Sequence, residues 1–123
     1  MAIKESGEMY LETILVLKNR NGSVRSIDVA NELNYSKPSV SRAMGILKEN
    51  GMIITEPNGN ILLTEKGEAV AQGILDRHNY ISKYLVKALN VREDTALDDA
   101  CKIEHIISDE SFKQIKEWVK NNS

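Results

Sequence analysis

The sequence predicts a mainly α-helical fold with one small β-hairpin, arranged as two consecutive domains. Apolar residues recur at helical spacing along most of the 123 residues. Capping residues and Asn-Gly pairs separate these amphipathic stretches into helices of ordinary length. Two short β-prone runs, at 52–55 and 60–63, flank the sequence Glu-Pro-Asn-Gly, which is typical of a hairpin.

The first helix is expected from Ile3 to Asn19, on a mostly apolar pattern, and Asn-Gly at 21–22 ends it. The second helix is short and is expected to run through Ile27, Val29, Ala30 and Leu33. Ser26 is expected to be its N-cap, because a serine oxygen at this position can accept a hydrogen bond from the first helical turn.

The third helix follows a polar break of only three residues, 34–36. Ser36 is expected to cap it, and Pro38 falls in its first turn, where a missing N–H costs nothing. Asn-Gly at 50–51 ends this helix. Two short helices joined by so tight a turn indicate a helix-turn-helix, and a hairpin directly after it is a wing. Residues 1–70 are therefore predicted to form a winged helix-turn-helix domain.

Residues 71–123 are predicted to form an all-helical domain. Its expected helices run from Thr64, as N-cap, to Leu89, from Asp94 or Thr95 through Ile107, and from Ser111 to Lys120. Their apolar faces exceed what so small a domain can bury internally, which predicts a homodimer. The residues expected at the dimer contact are Ile81, Leu85, Leu89, Ile103 and Ile107.

Composition narrows the class of protein. Hydrophobic residues make up 41% and charged residues 28%, the balance of a folded globular protein. No apolar run approaches the roughly 20 residues of a membrane span, and the N-terminus lacks the layout of a signal peptide. We therefore expect no membrane association, a cytoplasmic location and a reduced thiol at the single cysteine, Cys101.

The charge balance argues against constitutive binding of nucleic acid. The net charge is −2, and residues 1–70 and 71–123 each carry eight Lys/Arg and nine Asp/Glu. DNA-binding domains usually carry a clear basic excess. Any affinity for DNA must come from locally placed cations or from added charge, such as a bound metal ion.

The start of the third helix is the candidate DNA-binding segment. Hydroxyl groups and a helix N-terminus suit phosphates, a small apolar group can contact a thymine methyl, and Arg42 can bind guanine through two hydrogen bonds. The candidate DNA-binding residues are Ser36, Lys37, Pro38, Ser39 and Arg42. The alternative interpretation is an ordinary solvated helix face.

Three side chains suggest a metal site. Cys101, Glu104 and His105 occupy positions i, i+3 and i+4, so on a helix they share one face, and thiolate, carboxylate and imidazole can together bind a divalent transition metal. The alternative is that the three residues occur at this spacing by chance and share no role. In that case we expect a buried Cys, an exposed Glu and a hydrogen-bonded His. Nucleophilic catalysis is disfavoured because no Gly-rich oxyanion turn precedes the cysteine, so an enzyme is not expected.

The sequence resembles the diphtheria toxin repressor family of metal-responsive bacterial repressors, which includes the manganese transport regulators. The segments that carry the resemblance are residues 8–12 (EMYLE), 36–41 (SKPSVS), 63–67 (LTEKG), 77–78 (RH), 100–105 (ACKIEH) and 108–110 (SDE). The resemblance implies a winged-helix domain followed by a helical domain that binds metal and dimerises. The chain ends where longer members continue into an SH3-like domain, so the two-domain form is expected.

The resemblance also implies a set of ligands. Met9, Cys101, Glu104 and His105 match the primary site of the iron-responsive branch, whereas the manganese-responsive branch has carboxylates at the positions of Met9 and Cys101. A thioether and a thiol favour softer, later metals than manganese. Fe(II) is therefore the expected ion, with Co(II) or Ni(II) as substitutes and Mn(II) as the alternative.

A second metal site is suggested less directly. His78 matches a ligand of both branches, but its iron-branch partners would fall at Ser82 and Leu97, which are not credible ligands. Glu12 instead matches a ligand of the manganese branch. A second ion held by Glu12, His78 and a shared Glu104 is therefore expected as an addition to the primary site.

The implied function is a repressor that controls metal homeostasis and binds palindromic double-stranded operator DNA as a metal-loaded homodimer. Three alternatives stay open: a manganese-responsive repressor, a winged-helix regulator that uses Cys101 as a redox switch or binds DNA constitutively, and a small thiol enzyme or metal-trafficking module that binds no nucleic acid.

Overall fold

The computed structural model describes residues 5–122, with side chains from residue 7 onward. The elements in this range are α1 (Glu5–Asn21), α2 (Ser26–Leu33), α3 (Lys37–Glu49), β1 (Ile53–Thr55), β2 (Ile61–Leu63), α4 (Glu65–Leu89), α5 (Glu93–Ile103) and α6 (Asp109–Asn121). The mainly helical fold with one hairpin is thus confirmed. Ile3, the expected first residue of α1, lies outside the described residues. The chain divides into two compact units after Gln72, and α4 contributes residues to both.

The core of the first unit takes side chains from α1, α2, α3, the hairpin and the segment between α1 and α2. Its most deeply buried members are Leu11, Ile14, Val24, Val29, Val40, Leu47, Ile53 and Ile61. Full burial of each such side chain contributes about 1.5–3 kcal/mol. This common core holds α2 and α3 against α1 and keeps the first turn of α3, which carries the candidate DNA-binding residues, at the surface.

The turn between α2 and α3 depends on two caps. Asn34 ends α2 in the left-handed conformation, at φ 57°, and the backbone N–H of Tyr35 donates to Ala30 O at 3.0 Å. Ser36 caps α3 as predicted, since its Oγ accepts from Ser39 N at 3.3 Å. Pro38 occupies the first turn of the helix, which also agrees with the sequence.

The predicted cap of α2 was wrong by one residue. Arg25 is the N-cap, and Ser26 is the first residue of the helix. The Asp28 carboxylate accepts from the Arg25 backbone N–H at 2.9 Å. The Asp28 side chain thus binds the N–H of the N-cap residue, while the Asp28 N–H donates to Arg25 O at 3.0 Å instead of to a serine oxygen.

The wing is an antiparallel hairpin in which Ile53 pairs with Leu63 and Thr55 with Ile61. Gly59 has a φ of 89°, which a residue with a Cβ rarely adopts, and this explains the Asn-Gly signal. The outer side of β2 is closed by the chain before α2: Ile61 N donates to Val24 O at 2.7 Å, and Val24 N donates to Asn60 Oδ1 at 3.1 Å.

The wing is also joined to the start of α4. Thr64 caps this helix as predicted, because its Oγ1 accepts from Gly67 N at 3.0 Å. A Cβ on Gly67 would lie 1.9 Å from the carbonyl oxygen of Met52, at the start of the wing. Only glycine allows the first turn of α4 to approach this backbone so closely.

The second unit consists of the remainder of α4 with α5 and α6. Buried members of its core include Ile74, Ile81, Ala96, Ala100 and Val119. Edge-to-face aromatic pairs join α4 to α6, with ring centroids 6.2 Å apart for Tyr80–Phe112 and 5.3 Å apart for Tyr84–Trp118. Ile81, expected at a dimer contact, is instead a core residue.

The limits of α5 and α6 differ from the predicted ones. α5 begins at Glu93, before the expected Asp94 or Thr95, and it ends at Ile103, four residues before the expected Ile107, where a turn follows it. α6 begins at Asp109, because Ser108 Oγ accepts from Ser111 N at 3.1 Å and caps it. Among the described residues, no helix is both long enough and apolar enough to cross a bilayer.

Candidate metal centre and nucleic-acid interface

Three potential metal donors meet in the second unit. His78 lies on α4, Cys101 on the last turns of α5, and Glu104 directly after α5. His78 Nδ1 is 3.0 Å from Glu104 Oε2 and 3.7 Å from Cys101 Sγ. The sequence assigned His78 to a second site and Cys101 to the primary one, whereas the structure brings them together around Glu104.

The Glu104 carboxylate is fully buried, which is rare for an acidic residue. Oε2 is paired with His78, and His105 Nε2 lies 3.3 Å from Oε1. Within the described part of the chain, Oε1 accepts no hydrogen bond of good geometry. Because a buried carboxylate is costly unless its acceptor capacity is filled, this oxygen is suited to a cation.

The end of α5 at Ile103 changes the arrangement expected for Cys101, Glu104 and His105. The three do not share one helical face: Cys101 is exposed, Glu104 is buried and His105 is half-buried. Cys101 groups with His78 and Glu104, within 4.8 Å of one another. The chance interpretation, a buried Cys with an exposed Glu, is also wrong, because the burial is the reverse.

The donor spacing fits a divalent transition metal. With zinc-type bonds of about 2.05 Å to nitrogen and 2.3 Å to sulfur, a tetrahedral ion separates these two atoms by about 3.6 Å. The observed separation of His78 Nδ1 and Cys101 Sγ is 3.7 Å. A thiol, an imidazole and a carboxylate form a mixed donor set of the kind that binds first-row metals.

Met9 and Glu12 lie on α1, in the first unit. Their spacing of three residues places them on one side of that helix. Both are half-buried, and the Tyr35 hydroxyl donates to Met9 Sδ at 3.9 Å. Tyr35 also contacts Tyr10 edge to face at 6.0 Å, and burial together with this neighbour raises the pKa of Tyr10. Neither tyrosine was singled out from the sequence.

Arg77 is the other residue that sequence reasoning did not develop. In the sequence, Arg77 stands out only as part of the dipeptide Arg77-His78 that carries the family resemblance. The Arg77 guanidinium donates to the Glu104 backbone carbonyl at 3.3 Å and forms an ion pair with Asp109. The separation of 27 residues between Arg77 and Glu104 hides this contact from any local sequence pattern.

The candidate DNA-binding residues lie together on the first two turns of α3. Ser36, Lys37, Pro38, Ser39 and Arg42 are all exposed. The Ser36 hydroxyl donates to Ser39 Oγ at 2.9 Å in addition to capping the helix. Ser36 therefore orients the helix N-terminus, while Lys37 and Arg42 supply the local positive charge.

Comparisons with known proteins agree with this architecture over nearly the whole chain. The profile of the iron dependent repressor N-terminal DNA binding domain matches residues 2–61. The profile of the iron dependent repressor metal binding and dimerisation domain matches residues 64–123. Both descriptions are those of a transcriptional repressor, which is a DNA-binding regulator and not an enzyme.

Two curated relatives differ in length. An uncharacterized HTH-type transcriptional regulator of Methanocaldococcus jannaschii is 38% identical over 115 residues, which cover 93% of this chain and 92% of that protein. The diphtheria toxin repressor of Corynebacterium diphtheriae is 24% identical over 97% of this chain but only 53% of its own length. The chain thus spans about half of the longer relative.

A solved structure has the same fold. A manganese-dependent transcriptional repressor in complex with manganese superposes with a TM-score of 0.85 at 25% identity, covering 93% of this chain and 52% of that one. The matched profiles, the M. jannaschii relative and this structure agree: the chain belongs to the iron-dependent repressor family of metal-dependent transcriptional regulators, which includes the diphtheria toxin repressor.

Proposed function

We propose that this protein represses transcription by binding operator DNA as a homodimer when it is loaded with a divalent metal, and that Fe(II) is its physiological ion. The observation that carries the proposal is the buried Glu104 carboxylate, with His78 Nδ1 at 3.0 Å and an incompletely bonded second oxygen. A cation at this carboxylate would fill its acceptor capacity and offset its charge.

The proposed primary ligands are Met9, Cys101, Glu104 and His105, and Glu12 and His78 are proposed for a second ion that shares Glu104. The 3.7 Å between His78 Nδ1 and Cys101 Sγ is short enough for one ion to bind both donors, so it supports two adjacent sites that share donors rather than two separate ones. A bound metal would supply positive charge and fixed ligand geometry. The protein's own contribution is to hold the donors and, through α3, to present the DNA-binding residues.

The choice of Fe(II) depends on the two sulfur donors. Thiolate and thioether ligands suit iron, cobalt or nickel better than manganese, which prefers oxygen ligands. The matched family profiles are described as iron dependent, whereas the solved structure described above binds manganese. Mn(II) is therefore the alternative ion, because Glu12 and Glu104 supply the oxygen ligands that manganese prefers.

DNA recognition is proposed to use the first turns of α3. Lys37 and Arg42 would contact phosphate or guanine, and Pro38 and Ser39 would contact base edges in the major groove. The chain's net charge of −2 supports a conditional interaction, because neutralisation of buried or clustered carboxylates by a metal lowers the repulsion of phosphates. Binding of DNA would also place the protein in the cytoplasm.

The homodimer is proposed to form through apolar side chains of the second unit. Four large apolar side chains there are exposed: Val86, Leu89, Leu97 and Ile106. Val86 and Leu97 line a shallow groove between α4 and α5. Leu89 is the exposed member of the predicted contact set, whereas Leu85, Ile103 and Ile107 are half-buried. Two half-sites in a palindrome would match the twofold symmetry of such a dimer.

The metal proposal is tested by titrating the metal-free protein with Co(II) under anaerobic conditions. Thiolate coordination gives a ligand-to-metal charge-transfer band, which Cys101→Ser should abolish. Asp99→Asn is a matched control on the same helix, because Asp99 is exposed and outside the donor cluster. An identical spectrum for the Cys101 variant and the unaltered protein would refute the assignment of Cys101 as a ligand.

The DNA proposal is tested without knowledge of the operator. Random double-stranded DNA is selected on the protein with Fe(II) and, in parallel, with a chelator. We expect enrichment of a palindrome only with metal. Equal enrichment in both arms would show constitutive binding and would remove the metal from the mechanism.

A second candidate function is favoured by the exposure of Cys101. An exposed thiol is accessible to oxidants, and here it lies 3.7 Å from an imidazole nitrogen, so a redox switch on the same winged-helix scaffold is the alternative. The two candidates differ in one result: a redox regulator would lose DNA affinity on peroxide treatment in the absence of any metal.

A further inference from the structure

We propose that Arg77 is a positioning residue for the metal centre, which clamps the turn that carries Glu104 and His105. The inference rests on the proposed function in so far as those two residues bind metal. Arg77 precedes His78 on α4, but successive helical residues point about 100° apart. Its guanidinium accordingly reaches the turn after α5, whereas His78 reaches the donor cluster.

Arg77 binds backbone carbonyls at the end of α5. The last carbonyls of a helix have no partner within the helix, and here the turn begins at Glu104. Arg77 Nη1 donates to the carbonyls of Glu104 and Ile107, at 3.3 and 3.5 Å. The positive charge also lies at the negative end of the α5 dipole, where a cation is favourable.

Arg77 also binds the start of α6. Arg77 Nη2 donates to Asp109 Oδ1, on the first residue of that helix. One guanidinium therefore joins the end of α5 to the beginning of α6 and holds the length of the turn between them. The planar fork of arginine can reach two carbonyls and a carboxylate at once, which the single ammonium of lysine cannot do in the same geometry.

The side chain of Arg77 is itself held in place by its neighbours. Its guanidinium lies 5.6 Å from the centroid of the Phe112 ring, and Phe112 in turn contacts Tyr80 edge to face. Arg77 is about three-quarters buried, with 24% of its side chain exposed. Stacking and burial keep the fork in place, so the clamp is fixed before any ion binds.

These contacts have a direct consequence for the donors. Arg77 binds the backbone carbonyl of Glu104, and His78 pairs with the Glu104 side-chain carboxylate. Two adjacent residues of α4 therefore fix both the backbone and the side chain of Glu104. The amides of His105, Ile106 and Ile107 bond to carbonyls of residues 102 and 103 in tight turns. Loosening the turn would spread Glu104 and His105 over several orientations and weaken binding.

The test uses Arg77→Lys, which keeps the charge and removes the fork. Arg92→Lys is the matched control, because Arg92 makes a two-bond ion pair with Asp94 near the opposite end of α5. Co(II) affinity should fall about 10–100-fold in R77K, the usual effect of losing a residue that orients a ligand. In R92K it should stay within about twofold, since the Arg92 pair is exposed.

A second readout needs no metal. In the metal-free protein, R77K should accelerate hydrogen exchange at the amides of His105, Ile106 and Ile107, with little change in the core of the first unit. If the unaltered protein binds no Co(II), the proposed function fails, while the exchange rates still decide the role of Arg77. Unchanged exchange, or Co(II) affinity in R77K equal to that in R92K, would overturn the inference.

A further variant covers the case in which R77K does not fold. Asp109→Ala removes only the carboxylate partner, which is exposed and therefore of modest value to stability. We expect a fall in Co(II) affinity of about fivefold and faster exchange in the same three amides. The absence of both effects would overturn the inference equally.

Discussion

Among the glycines from Gly22 to Gly73, Gly67 is the one at which an added methyl group would clash with neighbouring backbone. An alanine Cβ at this position would lie 1.9 Å from Met52 O and 2.8 Å from Met52 C, and both are backbone atoms that cannot rotate away. Ordinary contact begins at 3.4 Å, so the first turn of α4 must withdraw by about 1.5 Å. The movement strains the junction between wing and helix.

The size of the effect follows from the bonds at this junction. Thr64 N donates to Met52 O at 3.0 Å, Thr64 Oγ1 donates to Gly51 O at 2.6 Å, and Lys66 Nζ donates to Asn50 O at 3.2 Å. Loss of these bonds would cost about 3 kcal/mol at about 1 kcal/mol each. Because alanine favours the helical conformation more than glycine does, the substitution also adds about 1 kcal/mol to the free energy of unfolding. We expect Gly67→Ala to lower the free energy of unfolding by about 2 kcal/mol.

The assay is thermal and urea unfolding followed by circular dichroism. A loss of about 2 kcal/mol corresponds to a melting temperature lower by about 10 °C for a domain of this size. Gly73→Ala is the matched control on the same helix, because Gly73 is exposed and no described atom lies within 4 Å of the added Cβ. This control should gain up to about 1 kcal/mol. A Gly67→Ala protein as stable as the Gly73→Ala protein would refute the reasoning.

Three further predictions concern α6, the metal and the dimer. Ser108→Ala should destabilise by about 1 kcal/mol through loss of the α6 cap, whereas Ser111→Ala, on the same helix, should be nearly neutral in urea unfolding. Met9→Asp should raise Mn(II) affinity relative to Co(II) in parallel titrations, and an unchanged ratio would count against Met9 as a ligand. Leu89→Lys should give a monomer by sedimentation with metal present, whereas Ile54→Lys, at a similarly exposed apolar residue of the wing, should stay dimeric.

The elements that sequence predicted well are those specified by local chemistry. Ser36 with Pro38 marks the start of α3, Thr64 marks the start of α4, and Asn58-Gly59 marks the tip of the wing. Each of these signals acts within a few residues of the element it delimits. The helix-turn-helix and its wing could therefore be read without knowledge of the tertiary structure.

The end of α5 could not be predicted in this way. Ile103 and Ile107 continue the apolar spacing of a helix, and neither Gly nor Pro marks a break between them. The helix nonetheless ends at Ile103, and Arg77 binds the carbonyls of Glu104 and Ile107 from another helix. A long-range contact of this kind leaves no local signal.

For the candidate metal site, the sequence identifies the types of donor side chain but not which of them lie together. The sequence spacing favoured Cys101, Glu104 and His105 as one face, whereas the packing of α4 on α5 places His78 between Cys101 and Glu104. Burial of Glu104 likewise depends on tertiary packing. Residue identity limits the chemistry of such a site, and the arrangement of helices decides which donors meet.

The contact between Val24 and β2 has a consequence for how this protein resists aggregation. A two-stranded hairpin has two edges, and each can template a strand from another chain. Ile61 N donates to Val24 O, and the Asn60 side chain accepts from Val24 N, so the β2 edge is already occupied at its first residue, Ile61. Strand addition is thereby directed to β1, whose three residues offer little length for pairing.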